Sequence, residues 1–249
     1  MHSIDISEEA GVRFLHFGSE WIQGAMRIAR PDDLELEYTR EMMAPLLYHD
    51  ANWPRHALLI GLGAGSLLKF LWRHRPRAQL TVAEIDPRME PMARQFFRLP
   101  DDPRRIRIQI ADGADFVIGT RQRFDLILVD GFDADARPGQ LDSVPFYLDC
   151  RARLADEGIF CVNLLSRRLQ FGASVGRIRE AFDDHALAFP SSDAGNAIVI
   201  AARPDAVPPS LTFDDLNAAA KALRKSTGLN LLPLLARLAA ARKSAGMAL

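Results

Sequence analysis

The chain has 249 residues, 48% of them hydrophobic and 25% charged, a composition able to bury a full core. Its 31 basic and 32 acidic residues give a formal charge of −1, which excludes nucleic-acid binding through global charge. No stretch reaches the ~18 uninterrupted apolar residues of a membrane helix. Two cysteines, Cys150 and Cys161, make neither a Cys-x-x-Cys pair, a four-cysteine zinc site nor a disulfide scaffold. The N-terminus carries no basic segment followed by an apolar run, so no signal peptide is expected and the expected setting is a reducing cytoplasm.

In chain order, residues 1–50 predict short strands followed by a helix. Gly11–Phe17 and Trp21–Ile28 are strand-like, with Gly18-Ser19 as the turn between them. Pro31-Asp32-Asp33 closes that region, and Leu34–Tyr48 predicts one helix with Leu36, Met43, Leu46 and Leu47 on its apolar side.

Residues 51–203 alternate short apolar runs with amphipathic segments. The runs are Ala57–Ile60, Leu80–Ala83, Ile106–Ile110, Leu126–Val129, Ile159–Val162 and Ala197–Ile200. That alternation predicts βαβ units and a mostly parallel sheet. Ala186–Phe189 and Ala197–Ile200 flank Gly195-Asn196 and predict a hairpin adding an antiparallel strand. Residues 204–249 open on prolines and then turn helical. Thr212 is placed to cap a helix carrying Phe213, Leu216 and Leu223, and Gly228 to stop it; Leu231–Ala241 predicts a second helix. This tail is rich in Lys and Arg, and a helix pair docked on the domain is the expectation. The fold class is therefore α/β: a Rossmann-like, mostly parallel sheet with a small N-terminal β-domain and a C-terminal helical tail.

The chemistry concentrates at strand ends. Gly61, Gly63 and Gly65 follow the first strand of the sheet, where missing Cβ atoms let backbone approach a ligand. Glu84 ends the second strand, Asp112-Gly113 the third and Asp130 the fourth. Open α/β sheets bind ligands at that carboxyl edge, and an acid at the position of Glu84 suits ribose hydroxyls. Each acid, taken singly, is equally a helix cap. Ser66 stands where a dinucleotide fingerprint has a third Gly, so a nucleoside without a pyrophosphate fits better.

Gly172-Ala173-Ser174-Val175-Gly176 formally matches a nucleophile elbow, but the polar run Ser166–Gln170 before it is no strand, and a helix start is the better reading. No His or Cys spacing suggests a metal site.

These residues resemble the spermidine synthases (polyamine aminopropyltransferases), which share the fold of class I S-adenosylmethionine-dependent methyltransferases. The resemblance spans about residues 12–203. It rests on Gln23, on Glu37-Tyr38-Thr39-Arg40-Glu41-Met42, on Gly61–Gly65, on Glu84-Ile85-Asp86, on Asp112-Gly113, on Asp130-Gly131-Phe132-Asp133 and on Leu141 with Phe146-Tyr147. It implies aminopropyl transfer from decarboxylated S-adenosylmethionine to a small amine such as putrescine, without a metal. Gln23, Gly61, Gly63, Gly65, Glu84, Asp86, Asp112 and Gly113 would hold the nucleoside. Asp130 would be the catalytic carboxylate, Asp133 a second acid facing the amine, and Tyr38 would orient that amine. Gly131–Leu141 would be a lid. The family suggests a homodimer; no nucleic-acid or membrane partner is expected.

Two departures bear on the substrate. Ala64 replaces an Asp that in the family would pair with the aminopropyl ammonium and repel the carboxylate of intact S-adenosylmethionine. Ser191-Ser192-Asp193 replaces a Tyr-Pro-containing loop. The alternatives are accordingly a small-molecule methyltransferase using S-adenosylmethionine and a non-catalytic nucleoside-binding protein.

Overall fold

The structure, a computed structural model, describes residues 3–18, 22–131, 139–167, 170–191, 195–204, 206 and 212–244. Its first element is a three-stranded antiparallel sheet of β1 (Ile4–Glu9), β2 (Val12–Phe17) and β3 (Ile22–Arg27). β1 was not among the expected strands; Ala10 and Gly11, both at positive φ, turn the chain so that Ile4 pairs with Phe17 and Glu9 with Val12.

The expected single helix over Leu34–Tyr48 is two pieces: α1 (Glu37–Glu41) and a 3-10 turn (Ala44–Leu47). Pro45 is the reason. It has no N–H for a bond to Glu41, and its ring would clash with that residue's carbonyl.

The main sheet contains β4 (His56–Ile60), β5 (Gln79–Glu84), β6 (Ile106–Ile110), β7 (Phe124–Val129), β8 (Leu154–Leu165), β9 (Ala186–Ala188) and β10 (Asn196–Ala202). Their spatial order is β6-β5-β4-β7-β8-β10-β9. The first five run parallel, while β10 is antiparallel to both β8 and β9. The hairpin expected from Gly195-Asn196 thus extends the sheet. Helices α2 (Ser66–His74), α3 (Met89–Phe97), α4 (Gly113–Gly119), α5 (Val144–Arg153) and α6 (Phe171–Ala181) cover its faces.

Alternate residues of each central strand feed opposite layers. Leu58, Ile60, Ile127, Val129, Phe160 and Val162 pack with Phe146, Tyr147, Ile178 and Phe182 on one face. Leu59, Leu126, Leu128 and Cys161 point to the other, which also takes in Leu15, Met26, Met42, Met43 and Phe97.

The same second layer receives the C-terminal helices, α7 (Phe213–Thr227) and α8 (Leu232–Ser244). Thr212 caps α7 in a reciprocal box with Asp215, and Gly228 ends it at φ +81. Leu216, Leu223, Leu234, Leu235 and Leu238 are buried, so the expected docked helix pair is what forms. Among the described residues no helix is long and apolar enough to cross a membrane.

Candidate active site

The strand order reverses between β4 and β7, which opens a crevice at their carboxyl ends. The Gly-rich turn leaves β4 there and Asp130 leaves β7 there. The two are in backbone contact: the Asp130 N–H donates to Ile60 O (2.9 Å), and a Cβ on Gly61 would stand 2.3 Å from Asp130 O. Gly61 also has φ +95, so this turn admits only glycine for two independent reasons. Gly63 and Gly65 follow at φ +51 and +68.

The N-terminal sheet closes the crevice from above. Ser66 Oγ donates to Ala25 O (3.1 Å), and Gly24 lies so near Ala64 that a Cβ on it would be 2.7 Å from the Ala64 Cβ. Gln23, Gly24, Tyr38, Thr39, Gly61, Gly63, Ala64, Ser66 and Asp130 line one pocket, bringing together residues from four parts of the chain.

At the pocket floor, Tyr38 Oη donates to Asp130 Oδ2 (3.2 Å) and Asn163 Nδ2 donates to Asp130 Oδ1 (3.0 Å). Asn196 Nδ2 in turn donates to Asn163 Oδ1 (3.0 Å), which fixes the Asn163 amide. Burial pushes the Asp130 carboxyl above the usual carboxylate range, against the two hydrogen bonds that favour its charge. Burial and the adjacent carboxylate push the Tyr38 hydroxyl well above the usual phenol range.

Glu84 is 6% exposed and serves the Gly-rich turn directly. Its Oε2 accepts from the Leu62 N–H (2.7 Å) and its Oε1 from the Asp86 N–H (2.8 Å). Burial raises its pKa and these two bonds oppose the rise. Each carboxylate oxygen has a second lone pair, so ribose recognition and turn support are compatible.

Asp112 is the N-cap of α4, with Oδ1 accepting from Ala114 N (2.7 Å) and, more weakly, Asp115 N (3.4 Å). The capping role is therefore real for this acid, and its Oδ2 is the atom left for a ligand. Gly113 packs so tightly that a Cβ would be 2.4 Å from Ile60 Cγ2. Asp86 is engaged by the Arg88 guanidinium, which holds its carboxyl below the usual range. Of the predicted nucleoside residues, Gln23, Gly61 and Gly63 line the pocket around Asp130, whereas Gly65, Glu84, Asp86, Asp112 and Gly113 do not; Asp86, Asp112 and Gly113 lie further along the carboxyl edge. Asp133 is outside the described residues, as are most of Gly131–Leu141, Trp21, Ser192 and Asp193.

Sequence reading missed Asn163 and Asn196. The signal was there: a lone amide in the apolar run Phe160–Leu165, one strand from Asp130 and directly after the Val129–Val162 pairing. Ser174 is no nucleophile, since it sits in α6 and donates to Asp142 Oδ2 (2.7 Å). Among the described residues no group of three His, Cys, Asp or Glu side chains is arranged to hold a metal ion.

Sheet order and crevice define an α/β domain of the class I methyltransferase type. Human methyltransferase-like protein 13 in complex with SAH superposes with a TM-score of 0.68 at 24% identity, over 78% of this chain and 93% of that one. A probable spermidine synthase from Corynebacterium glutamicum superposes with a TM-score of 0.71 at 19% identity, over 91% of each chain. The sequence narrows the class. Residues 36–170 match the spermine/spermidine synthase domain. Over 243 residues the chain is 35% identical to the polyamine aminopropyltransferase of Neisseria meningitidis serogroup A, covering 98% of this chain and 91% of the relative. The chain belongs to the spermine/spermidine synthase family.

Proposed function

We propose that this protein is an aminopropyltransferase, moving the aminopropyl group of decarboxylated S-adenosylmethionine to a small amine such as putrescine, with Asp130 as the catalytic carboxylate. The observation that carries the reading is Asp130 held by Tyr38 and Asn163 at the floor of the crevice, beneath the Gly-rich turn. Family membership supplies the reaction class, and the pocket supplies groups suited to it.

The reaction is a displacement at the carbon beside the sulfonium. A carbon–nitrogen bond forms, the carbon–sulfur bond breaks, and the thioether nucleoside departs with the electron pair. The attacking nitrogen is protonated in water and must shed a proton. Asp130 receives it, and the raised affinity of this buried carboxylate for a proton favours that role. Tyr38 and Asn163 fix the carboxylate plane, so alignment of amine, carbon and sulfur contributes much of the acceleration. Gln23, Gly61, Gly63, Gly65, Glu84, Asp86, Asp112 and Gly113 hold the nucleoside in this reading. Asp133 binds the distal end of the amine. The enzyme works in the cytoplasm and needs no metal.

Methyl transfer from S-adenosylmethionine is the second reading, and Ala64 favours it. The side chain at this position is buried against Gly24 and offers no charge to a substrate ammonium. Calorimetry of both nucleosides, with and without putrescine, decides. Tighter binding of the decarboxylated form, with methylthioadenosine released on adding putrescine, is the expected result. Preference for intact S-adenosylmethionine without that release would move the assignment to methyl transfer. Binding of both without any turnover would leave a nucleoside-binding protein, and binding of neither would overturn the nucleoside site.

A further inference from the structure

An ion pair far from the Gly-rich turn bears on the pocket through α1. Arg237 of α8 reaches Glu41 and also Glu37 (Nη1–Oε1 3.3 Å) at the two ends of α1. The Glu41 side chain is only 4% exposed, so its charge depends on that guanidinium. Tyr38 lies between the two glutamates, on the same five-residue helix.

A helix this short has almost no stability of its own, since isolated helices below ~12 residues are marginal in water. Leu36, its N-cap, contributes no side-chain hydrogen bond. Its position is therefore set from outside. Arg40 ties one side back to the carbonyls of Leu34 (2.8 Å) and Glu35. Arg237 ties the other side to α8, which Leu234, Leu235 and Leu238 anchor in the core.

We propose that Arg237 is a positioning residue for the reaction: by clamping Glu37 and Glu41 it sets the Tyr38 hydroxyl against Asp130, and so makes the C-terminal helix pair part of the active-site framework. The inference rests on the reading of Asp130 and Tyr38 given above. Without Arg237, Glu41 would be a buried carboxyl stripped of its cation, and a displacement of α1 that carries Glu41 toward water would carry Tyr38 with it.

The test uses the full chain with Arg237→Gln and Arg237→Lys, each alone and combined with Tyr38→Phe. The chain has three tyrosines, so [13Cζ]tyrosine NMR resolves them, and Tyr38→Phe assigns the one that matters. Arg237→Gln is expected to shift the Tyr38 signal, leave that of Tyr147 in place, and lower kcat roughly 10- to 100-fold with the nucleoside KM little changed. Arg237→Lys should recover most of the rate. In the Tyr38→Phe background, Arg237→Gln should cost nothing further. An unmoved Tyr38 signal, or a loss that simply adds to that of Tyr38→Phe, would overturn the proposal. Should Arg237→Gln not fold, the double variant Glu41→Gln/Arg237→Gln leaves no unpaired buried charge and carries the same readouts. The NMR arm is independent of turnover: a wild-type chain that transfers no aminopropyl group would refute the functional reading, while the Tyr38 signal would still decide what Arg237 does.

Discussion

The Tyr38 hydroxyl donates to Asp130 Oδ2 across 3.2 Å, joining residues 92 positions apart in the chain. One comes from a five-residue helix before the main sheet, the other from the end of its fourth strand. Their meeting places a phenol and a recessed carboxylate on the same wall of the crevice, where the proposed reaction would align and deprotonate an amine.

Asp130→Asn keeps the shape of that wall and removes the proton acceptor. Turnover should fall about 10²- to 10⁴-fold, the usual range for a general base. Nucleoside affinity by calorimetry should be largely retained. A variant with unimpaired turnover would exclude Asp130 from the chemistry.

The same substitution has a consequence for stability. A carboxyl whose folded pKa is raised binds its proton more tightly in the folded state. It therefore lowers stability progressively as pH climbs from its unfolded pKa through its folded one. Above both pKa values the wild-type chain bears the full penalty, and Asp130→Asn removes whatever part of it is present at a given pH. The Tm of the variant at pH 7 should equal or exceed that of wild type, and the difference should shrink on acidification to pH 4. A lower Tm at pH 7 would show that the two hydrogen bonds outweigh burial.

Glu84→Gln tests the acid beneath the Gly-rich turn. The amide keeps one acceptor oxygen but turns its NH2 toward a backbone N–H, from either Leu62 or Asp86. Loss of a hydrogen bond to a charged group is worth ~1.5–3 kcal/mol, so nucleoside binding should weaken roughly 10- to 150-fold. Unchanged affinity would exclude Glu84 from nucleoside binding and leave it a support of the turn alone.

Gly61→Ala should be the harshest single change. The new methyl would meet Asp130 O at 2.3 Å in a backbone region that disfavours L side chains. Strain at such a φ costs of order 1–3 kcal/mol before the clash is counted. Urea denaturation should show a loss above about 2 kcal/mol, accompanied by loss of nucleoside binding. A variant as stable as wild type would contradict the close approach of the two loops.

Ser174→Ala separates a structural serine from a nucleophile. Ser174 donates to Asp142, which also accepts from Tyr147 Oη (2.9 Å) and Arg177 Nε (3.1 Å). Removing one of these donors should cost about 1.5–3 kcal/mol of stability with kcat nearly unaltered. Abolished turnover in a folded variant would revive the elbow reading of Gly172–Gly176.

Much of this protein was legible before any fold was seen. The apolar runs located the strands of the main sheet because a strand buried on both faces needs uninterrupted side chains of one kind. Gly61, Glu84, Asp112 and Asp130 announced the carboxyl edge through spacing alone. The apolar periodicity around Pro45 predicts one helix over Leu34–Tyr48, and the missing N–H of that proline divides it in two. β1 escaped because an edge hairpin of mixed polarity carries little apolar signal.

The amino-acid sequence by itself determined which residue types stand at each strand end, since period and spacing are properties of the chain. Only the tertiary structure decided their partners. It gave Asp130 to Tyr38 and Asn163 and carried Arg237 back to Glu41, whereas the Asp112 cap and the Asp86–Arg88 pair are local, each spanning two residues. The first three contacts join distant segments, where the pairing of a buried charge is settled by desolvation and geometry together. Neither quantity exists until the sheet has assembled and the helices have closed over it.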